Sequence, residues 1–215
     1  MSIQGDFQME QFQGFTDQDF NVFEIEGLES RMEALIELIR PKLNALGQHF
    51  SHELAVLSGE EIFPHVAKHA RRTINPPKDT WVAFASNKRG YKMMPHFQIG
   101  LWGTHLFIWY AVIYEAPSKA EIGKRFMKHV DFIQSHVPAD FVWSVDHMQP
   151  GSQKHQDLSS EDLKMMFTRL QTVKKAELLC GVQIPREQAV KMSGDELIQK
   201  ITKTFEQLMP LYKLD

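Results

Sequence analysis

The spacing of apolar positions changes period along the chain. From Leu28 onward Met32, Leu35, Ile39, Leu43, Leu46, Phe50, Leu54 and Leu57 recur at steps of three and four, which places them on one stripe of a long amphipathic helix. Pro41 falls inside that stripe and is expected to kink or divide the helix, because it lacks an N–H and its ring crowds the preceding turn. Residues 1–15 are rich in Gln and Phe without a clean period; Thr16 followed by Asp17 and Asp19 then has the form of an N-cap with first-turn acids and predicts a short helix over 16–23. Gly59 and Pro64 close this helical part.

Between Thr80 and Tyr114 the helical step is lost, and aromatic and β-branched residues dominate. Residues 80–86, 94–102 and 105–114 read as three consecutive antiparallel strands, joined by the polar loop Asn87-Lys88-Arg89-Gly90 and by the short Gly103-Thr104 turn. In the second strand Phe97, Ile99 and Leu101 point one way while His96, Gln98 and Trp102 point the other, since side chains alternate across a strand. One face is therefore core and the other more polar. The third strand is apolar on both parities, as a central strand should be. Residues 93–114 hold no Asp, Glu, Lys or Arg, but Pro95, His96, Gln98, Gly100, Gly103, Thr104 and His105 would be costly in hydrocarbon, so paired strands are expected there and no membrane span.

Ser118-Lys119-Ala120-Glu121 has the form of a capping box opening a helix that buries Ile122, Phe126, Val130 and Ile133 and ends before Pro138. Residues 141–146 read as a fourth strand, Ser159 as the cap of a further helix, 177–184 as a fifth strand, and Ser193 with Glu196 as a capping box for a C-terminal helix. This order predicts an α+β fold: a two-layer sandwich with a mainly antiparallel sheet of about five or six strands and helices packed against it. With 215 residues and no internal repeat or low-complexity linker, one domain over 1–215 is expected, made of a helical part (1–63) and a sheet part with packed helices (64–215).

Composition narrows the chemistry. Hydrophobic residues at 43% and charged residues at 24% describe a folded chain rather than a disordered or fibrous one. The single cysteine, Cys180, sits in an apolar run and reads as a small buried hydrophobe, and the N-terminus has no basic region leading into an apolar run, so a cytoplasmic protein is expected. No phosphate-binding loop, dinucleotide fingerprint or G-x-S-x-G elbow occurs, and the sequence leaves any cofactor unknown. His49 with His52 and His65 with His69 have helical spacing, but no third ligand accompanies either pair, and no metal site is expected. Asp146 remains a minor candidate for proton transfer, whereas its neighbour His147 would point to the opposite face of a strand.

A net charge of -3 argues against a surface built throughout for nucleic acid or anionic lipid. The charge is nevertheless segregated: residues 1–63 carry three cations against twelve acids, whereas residues 64–98 carry seven cations against Asp79 alone. Within that basic block Arg71, Arg72, Lys88, Arg89 and Lys92 supply cations, His96 and Gln98 polar groups, and Trp81, Tyr91 and nearby Trp102 flat rings. Fixed donors beside aromatic surfaces suit an anionic ligand, either a phosphorylated small molecule or single-stranded nucleic acid. Three alternatives stay open: an enzyme acting on a nucleotide or acyl-phosphate with Asp146 or His96 moving the proton, an interaction domain without a pocket, and neutralisation of the basic block by the acidic N-terminal helices.

Several of these segments also resemble a known family. Phe15-Thr16-Asp17, His65-Val66-Ala67-Lys68-His69-Ala70-Arg71-Arg72-Thr73, Asn75-Pro76-Pro77, Asp79-Thr80-Trp81-Val82-Ala83-Phe84, Arg89-Gly90-Tyr91-Lys92, Pro95-His96-Phe97-Gln98-Ile99-Gly100-Leu101-Trp102, Trp143-Ser144 with Asp146-His147, and Lys174-Lys175-Ala176-Glu177 are similar to the YktB-like family of uncharacterised bacterial proteins. The resemblance spans nearly the whole chain. It implies a two-layer fold grouped with the cores of class II aminoacyl-tRNA synthetases and biotin ligases, and it brings no activity, cofactor or catalytic residue with it.

Overall fold

The computed structural model describes residues 12–214, so most of the Gln- and Phe-rich start of the chain lies outside the described residues. The helical part consists of α1 (Asp17–Asn21), α2 (Leu28–Ala34) and α3 (Arg40–Ser58). The Asp19 carboxylate accepts from the Thr16 N–H at 2.7 Å and from its hydroxyl at 3.0 Å, closing the first turn of α1. Pro41 does not break the apolar stripe. A π-helical turn, Leu35–Ile39, widens the backbone just before it, and Pro41 then occupies the first turn of α3, where a missing N–H costs nothing. The stripe continues through the change: Leu35, Ile39, Leu43, Leu46, Phe50 and Leu54 are all buried. Gly59 ends α3 in a left-handed conformation with its N–H on the Ala55 carbonyl.

Seven strands follow: β1 (Phe63–Val66), β2 (Asp79–Ala85), β3 (His96–Trp102), β4 (His105–Val112), β5 (Val142–Ser144), β6 (Gln153–Lys154) and β7 (Leu178–Pro185). They form one sheet of order β1-β2-β3-β4-β7-β5-β6 in which every neighbouring pair is antiparallel. The fold is α+β, as the pattern predicts. The strands absent from the sequence reading are β1 and β6, at the two edges, with four and two residues and no resolvable period. Pro64 is accommodated in β1 because an edge strand has one side free of ladder hydrogen bonds.

The expected helix over 118–137 is two helices, α4 (Lys119–Lys128) and α5 (Val130–His136), divided at His129. Its capping box does not form: Ser118 makes no side-chain cap, and Lys119 instead donates to the Leu170 and Val173 carbonyls at the end of α6 (Ser160–Thr172). The cap at Ser193 does form, with Glu196, and opens α8 (Gly194–Tyr212), which follows the single turn α7 (Arg186–Ala189). No described helix is long and apolar enough to cross a membrane.

Strand alternation divides the sheet into two unlike faces. Val82, Phe84, Phe97, Ile99, Leu101, Ile108 and Cys180 belong to the main core, together with Leu43, Phe50, Phe126, Phe167 and Phe205 of the helices. The opposite parity forms a second, smaller cluster, Phe107, Trp109, Ala111, Ile113, Val142 and Leu179, flanked by Trp81 and Trp102; among the described residues it contains no helical side chain. Across this face Trp81, Gly100, Phe107 and Gln183 stand side by side on β2, β3, β4 and β7. Gly100 is the low point of the row: a Cβ there would collide with the Phe107 ring, the Thr80 carbonyl and Trp81 Cβ.

Gly100→Ala is therefore expected to destabilise the protein by about 1–3 kcal/mol through forced repacking of Phe107 and Trp81. Gly151→Ala, where an added Cβ meets nothing within 4 Å, should stay within about 0.5 kcal/mol of the parent. Urea unfolding midpoints of the two variants check the contrast.

Candidate functional site

The two loops that flank β2 lie at its opposite ends, which decides which basic residues can meet. Arg71 and Arg72 sit in the β1–β2 loop, and Lys88 and Arg89 at the tip of the β2–β3 loop, so a strand of seven residues, roughly 20 Å long, separates their attachment points. Only the later part of the second loop comes back. Gly90, in a left-handed conformation (φ 73°), reverses the chain so that Tyr91 and Lys92 fold over the sheet. Tyr91 is tied there by Trp81, whose indole N–H donates to its hydroxyl at 2.9 Å, and lies against His65, ring centroids 5.3 Å apart.

The result is an open hollow of about 560 Å³ whose cations are Lys68, Arg71, Arg72 and Lys92, with Trp81 and Tyr91 in its wall. Of these cations only Lys92 has a carboxylate partner among the described residues, Glu115 at 3.5 Å. Among the described residues the Arg72 guanidinium bonds only the Asn75 carbonyl, at 3.3 Å. The acidic N-terminal helices do not neutralise the hollow: Asp19 pairs with Lys42, and Asp17 and Glu24 with Arg186. His69, which begins the turn carrying the two arginines, has φ +53°, a left-handed strain for a residue with a Cβ. Its ring nitrogen lies 3.2 Å from the Thr80 hydroxyl, and burial, with Arg72 and Arg40 adding to it, pushes its pKa down to about 4.

The remaining predicted residues lie elsewhere. Lys88 stands over the Phe63 ring at 5.1 Å and Arg89 is exposed, so neither reaches the hollow. His96 is fully buried; its Nδ1–H donates to the Met94 carbonyl at 2.7 Å, Nε2 accepts from the Gln98 amide at 2.9 Å, and burial holds its pKa near 4. That neutral imidazole positions Gln98 and is closed to a ligand. Gln98, Trp102 and Asp146 border a second cavity, on the other side of Trp81, that has room for about one water (20 Å³).

This second cavity also holds groups outside the predicted candidate set. Asp79, 6% exposed, brings a carboxylate to it, and burial raises that pKa to about 6 even though His147, Arg72 and Lys92 pull it back. The signal was present in the sequence: Asp79 is the one acid of the basic block and shares the parity of Trp81. His147 also borders the cavity. The expected fourth strand ends at Ser144, so the alternation that would have turned His147 away no longer applies. Its Nδ1 and backbone N–H both donate to Glu177 Oε2, at 2.7 and 2.9 Å. Burial lowers the His147 pKa, but the bond and charge of Glu177 outweigh it and the net shift is upward; Glu177, raised by burial, is brought down on balance by the same bonds. Glu177, thirty residues away, opens the predicted fifth strand and lies in a segment that resembles the family, but no spacing in the sequence ties it to His147. Asp146, His147 and Glu177 place one potential ligand atom each within 4.8 Å of one another, a donor set that suits a divalent cation. Cys180 is buried with its thiol pKa raised by desolvation, inert as expected.

The folded state holds the Asp79 proton more tightly than the unfolded chain, so its carboxylate costs stability above pH 6, and that cost fades as the pH falls toward 3.8. A shift of about two units corresponds to roughly 3 kcal/mol. Asp79→Asn is expected to unfold at a higher temperature than the parent at pH 7.5 and to lose that advantage by pH 4, which thermal melts across the range will test.

Residues 15–212 match the family described as a domain of unknown function, DUF1054. The chain is 55% identical over 200 residues to a UPF0637 protein of Bacillus velezensis, covering 93% of this chain and 95% of the relative. It is 53% identical over 202 residues to one of Bacillus mycoides, covering 94% and 97%, and 52% identical over 200 residues to one of Bacillus licheniformis, covering 93% and 95%. With nearly the full length aligned in each, this chain belongs to the UPF0637 (DUF1054) family, the YktB-like proteins that its motifs resemble.

Proposed function

We propose that this protein binds a phosphorylated small molecule, with the phosphate held in the hollow by Arg71, Arg72, Lys68 and Lys92. The observation that carries this reading is the pair Arg71 and Arg72 beside an open hollow, with no described carboxylate paired to either. Guanidinium groups match phosphate oxygens with two parallel donors, and a concave site concentrates their field. The volume, about 560 Å³, falls within the range of small-ligand sites, which favours a bounded molecule over a polymer.

Thermal stability in the presence of inorganic pyrophosphate, ribose 5-phosphate and nucleoside monophosphates tests it. A ligand at 100 times its Kd adds about 2.7 kcal/mol to stability. The gain should shrink with added salt and vanish in Arg71→Glu with Arg72→Glu, both changes being at the rim of the hollow. A flat response to every phosphorylated compound would overturn the reading, and tighter binding of a single-stranded oligonucleotide than of any mononucleotide would replace the small molecule by a polymer.

A second reading, an enzyme acting on a phosphorylated substrate, is favoured by the His147–Glu177 pair. Glu177 fixes the proton on Nδ1 and leaves Nε2, which no described group contacts, as the nitrogen able to accept a proton beside the cavity. Incubation with nucleoside phosphates and acyl phosphates, followed by mass spectrometry, should yield a product that His147→Gln fails to make. An unchanged pool with the parent protein rejects this reading and leaves the first untouched.

A further inference from the structure

The cavity behind Trp81 has a polar lining of fixed sense. The Met94 carbonyl accepts the His96 Nδ1–H, which leaves Nε2 as a lone pair; that lone pair takes a hydrogen from the Gln98 Nε2 amide. The side-chain amide is thereby oriented, and its Oε1, an acceptor, is the atom left to the cavity. Asp79 adds its carboxylate, which its own backbone N–H bonds and to which no described side chain donates. Both residues are 6% exposed. The Trp81 indole N–H is committed to the Tyr91 hydroxyl, while Trp102 and Trp109 bring two further indoles to the lining. Flat aromatic surface surrounds these acceptors: Trp81, Trp102, Phe107 and Trp109.

Asp79 and the Gln98 amide oxygen give this cavity an acceptor side, and a flat group with paired N–H donors suits that side and the rings around it. The two oxygens of a carboxylate match the parallel N–H bonds of an N–C–N fork, and indole faces suit its plane and any positive charge that it carries. Trp81 borders this cavity and the basic hollow alike.

We propose that the ligand is bipartite, with its phosphate in the hollow and a flat N–C–N donor fork, of which the guanine edge is the common example, in the aromatic cavity against Asp79 and Gln98. This inference rests on the phosphate-binding reading above and adds the identity of the other end. As it stands the cavity holds one water, so the ring is admitted by movement of the turn over residues 145–152. That turn touches the sheet through Gln183, which donates to the Pro150 carbonyl at 3.0 Å and accepts from Ser152 at 2.7 Å, and through His147 on Glu177. Val145, Met148 and Gln149 in the same turn are exposed.

Titration with GMP, AMP and ribose 5-phosphate, followed by calorimetry and by tryptophan fluorescence, tests this. AMP carries an acceptor where the guanine edge carries a ring N–H, and ribose 5-phosphate has no ring to insert. GMP is expected to bind at least ten times more tightly than either and to quench the fluorescence of Trp81, Trp102 and Trp109, with ribose 5-phosphate leaving emission unchanged. Asp79→Asn should cut GMP affinity at least tenfold, to the level of ribose 5-phosphate, and Trp102→Leu should weaken GMP and reduce the quench, each variant being checked for native circular dichroism. Equal affinity for the three compounds, or a GMP preference that survives Asp79→Asn, overturns the bipartite ligand while the phosphate-binding reading stands. Absence of binding by all three, in protein with a native spectrum, overturns both.

Discussion

Everything that distinguishes this protein follows from a single geometric constraint, that successive side chains of a strand leave on opposite faces. In β2, β3, β4 and β7 one parity is almost wholly apolar, Thr80 being the exception at the start of β2, and it supplies most of the core together with α3 and α8. Among the described residues no α-helical side chain joins the cluster on the other parity, and only the short turn Tyr91–Met93 packs on it at Trp81. That face carries Asp79, Trp81, Gln98, Trp102, Phe107, Trp109 and Gln183, a mixture of rings and polar groups that a second hydrophobic layer would not need. The core lies on one side of the sheet, and the groups on which the proposed ligand site rests lie on the other.

The division was legible in the residues wherever the strands were long enough to show a period. Phe97, Ile99 and Leu101 against His96, Gln98 and Trp102 announce the two faces, and the unbroken apolar character of β4 announces its central place. What could not be read depends on chain direction rather than period. β1 has four residues, one of them proline, and β6 has two, so neither offers a repeat. The basic block was legible as composition but not as a site, because β2 places its flanking loops at opposite ends. Arg71 and Arg72 therefore part company with Lys88 and Arg89, and only the left-handed turn at Gly90 returns Tyr91 and Lys92 to them. His147 was hidden by assuming a strand two residues too long, and Glu177 by the thirty residues of chain between it and its partner.

Charge is sorted on the open face as well as along the chain. The hollow on one side of Trp81 gathers cations, and the cavity on its other side gathers carboxyl groups, Asp79 and Asp146, with Glu177 behind His147. Fields of opposite sign this close would ordinarily collapse into direct ion pairs, and along the rest of the surface they do, as with Lys124 and Glu121 or Lys164 and Glu161. Here Trp81, locked to Tyr91 by a hydrogen bond, lines both spaces, and Arg72 influences Asp79 without an ion pair between them. An aromatic partition of this kind keeps both charges available to a third party.

The stability costs of the fold fall in the same place. Asp79 is buried with no described side chain donating to it, and His69 is the only described non-glycine residue with a positive φ; the first borders the cavity behind Trp81 and the second the hollow in front of it. A left-handed non-glycine residue and a buried, undercompensated carboxylate each cost on the order of 1–3 kcal/mol. The helix-covered core carries no comparable strain: its large side chains are fully buried aromatic and aliphatic groups, and Cys180 within it behaves as a hydrophobe. Costs scattered by chance would not collect around one tryptophan. Their concentration on the uncovered face, beside the unpaired Arg71 and Arg72, is what a binding site looks like when its geometry is retained at the expense of stability.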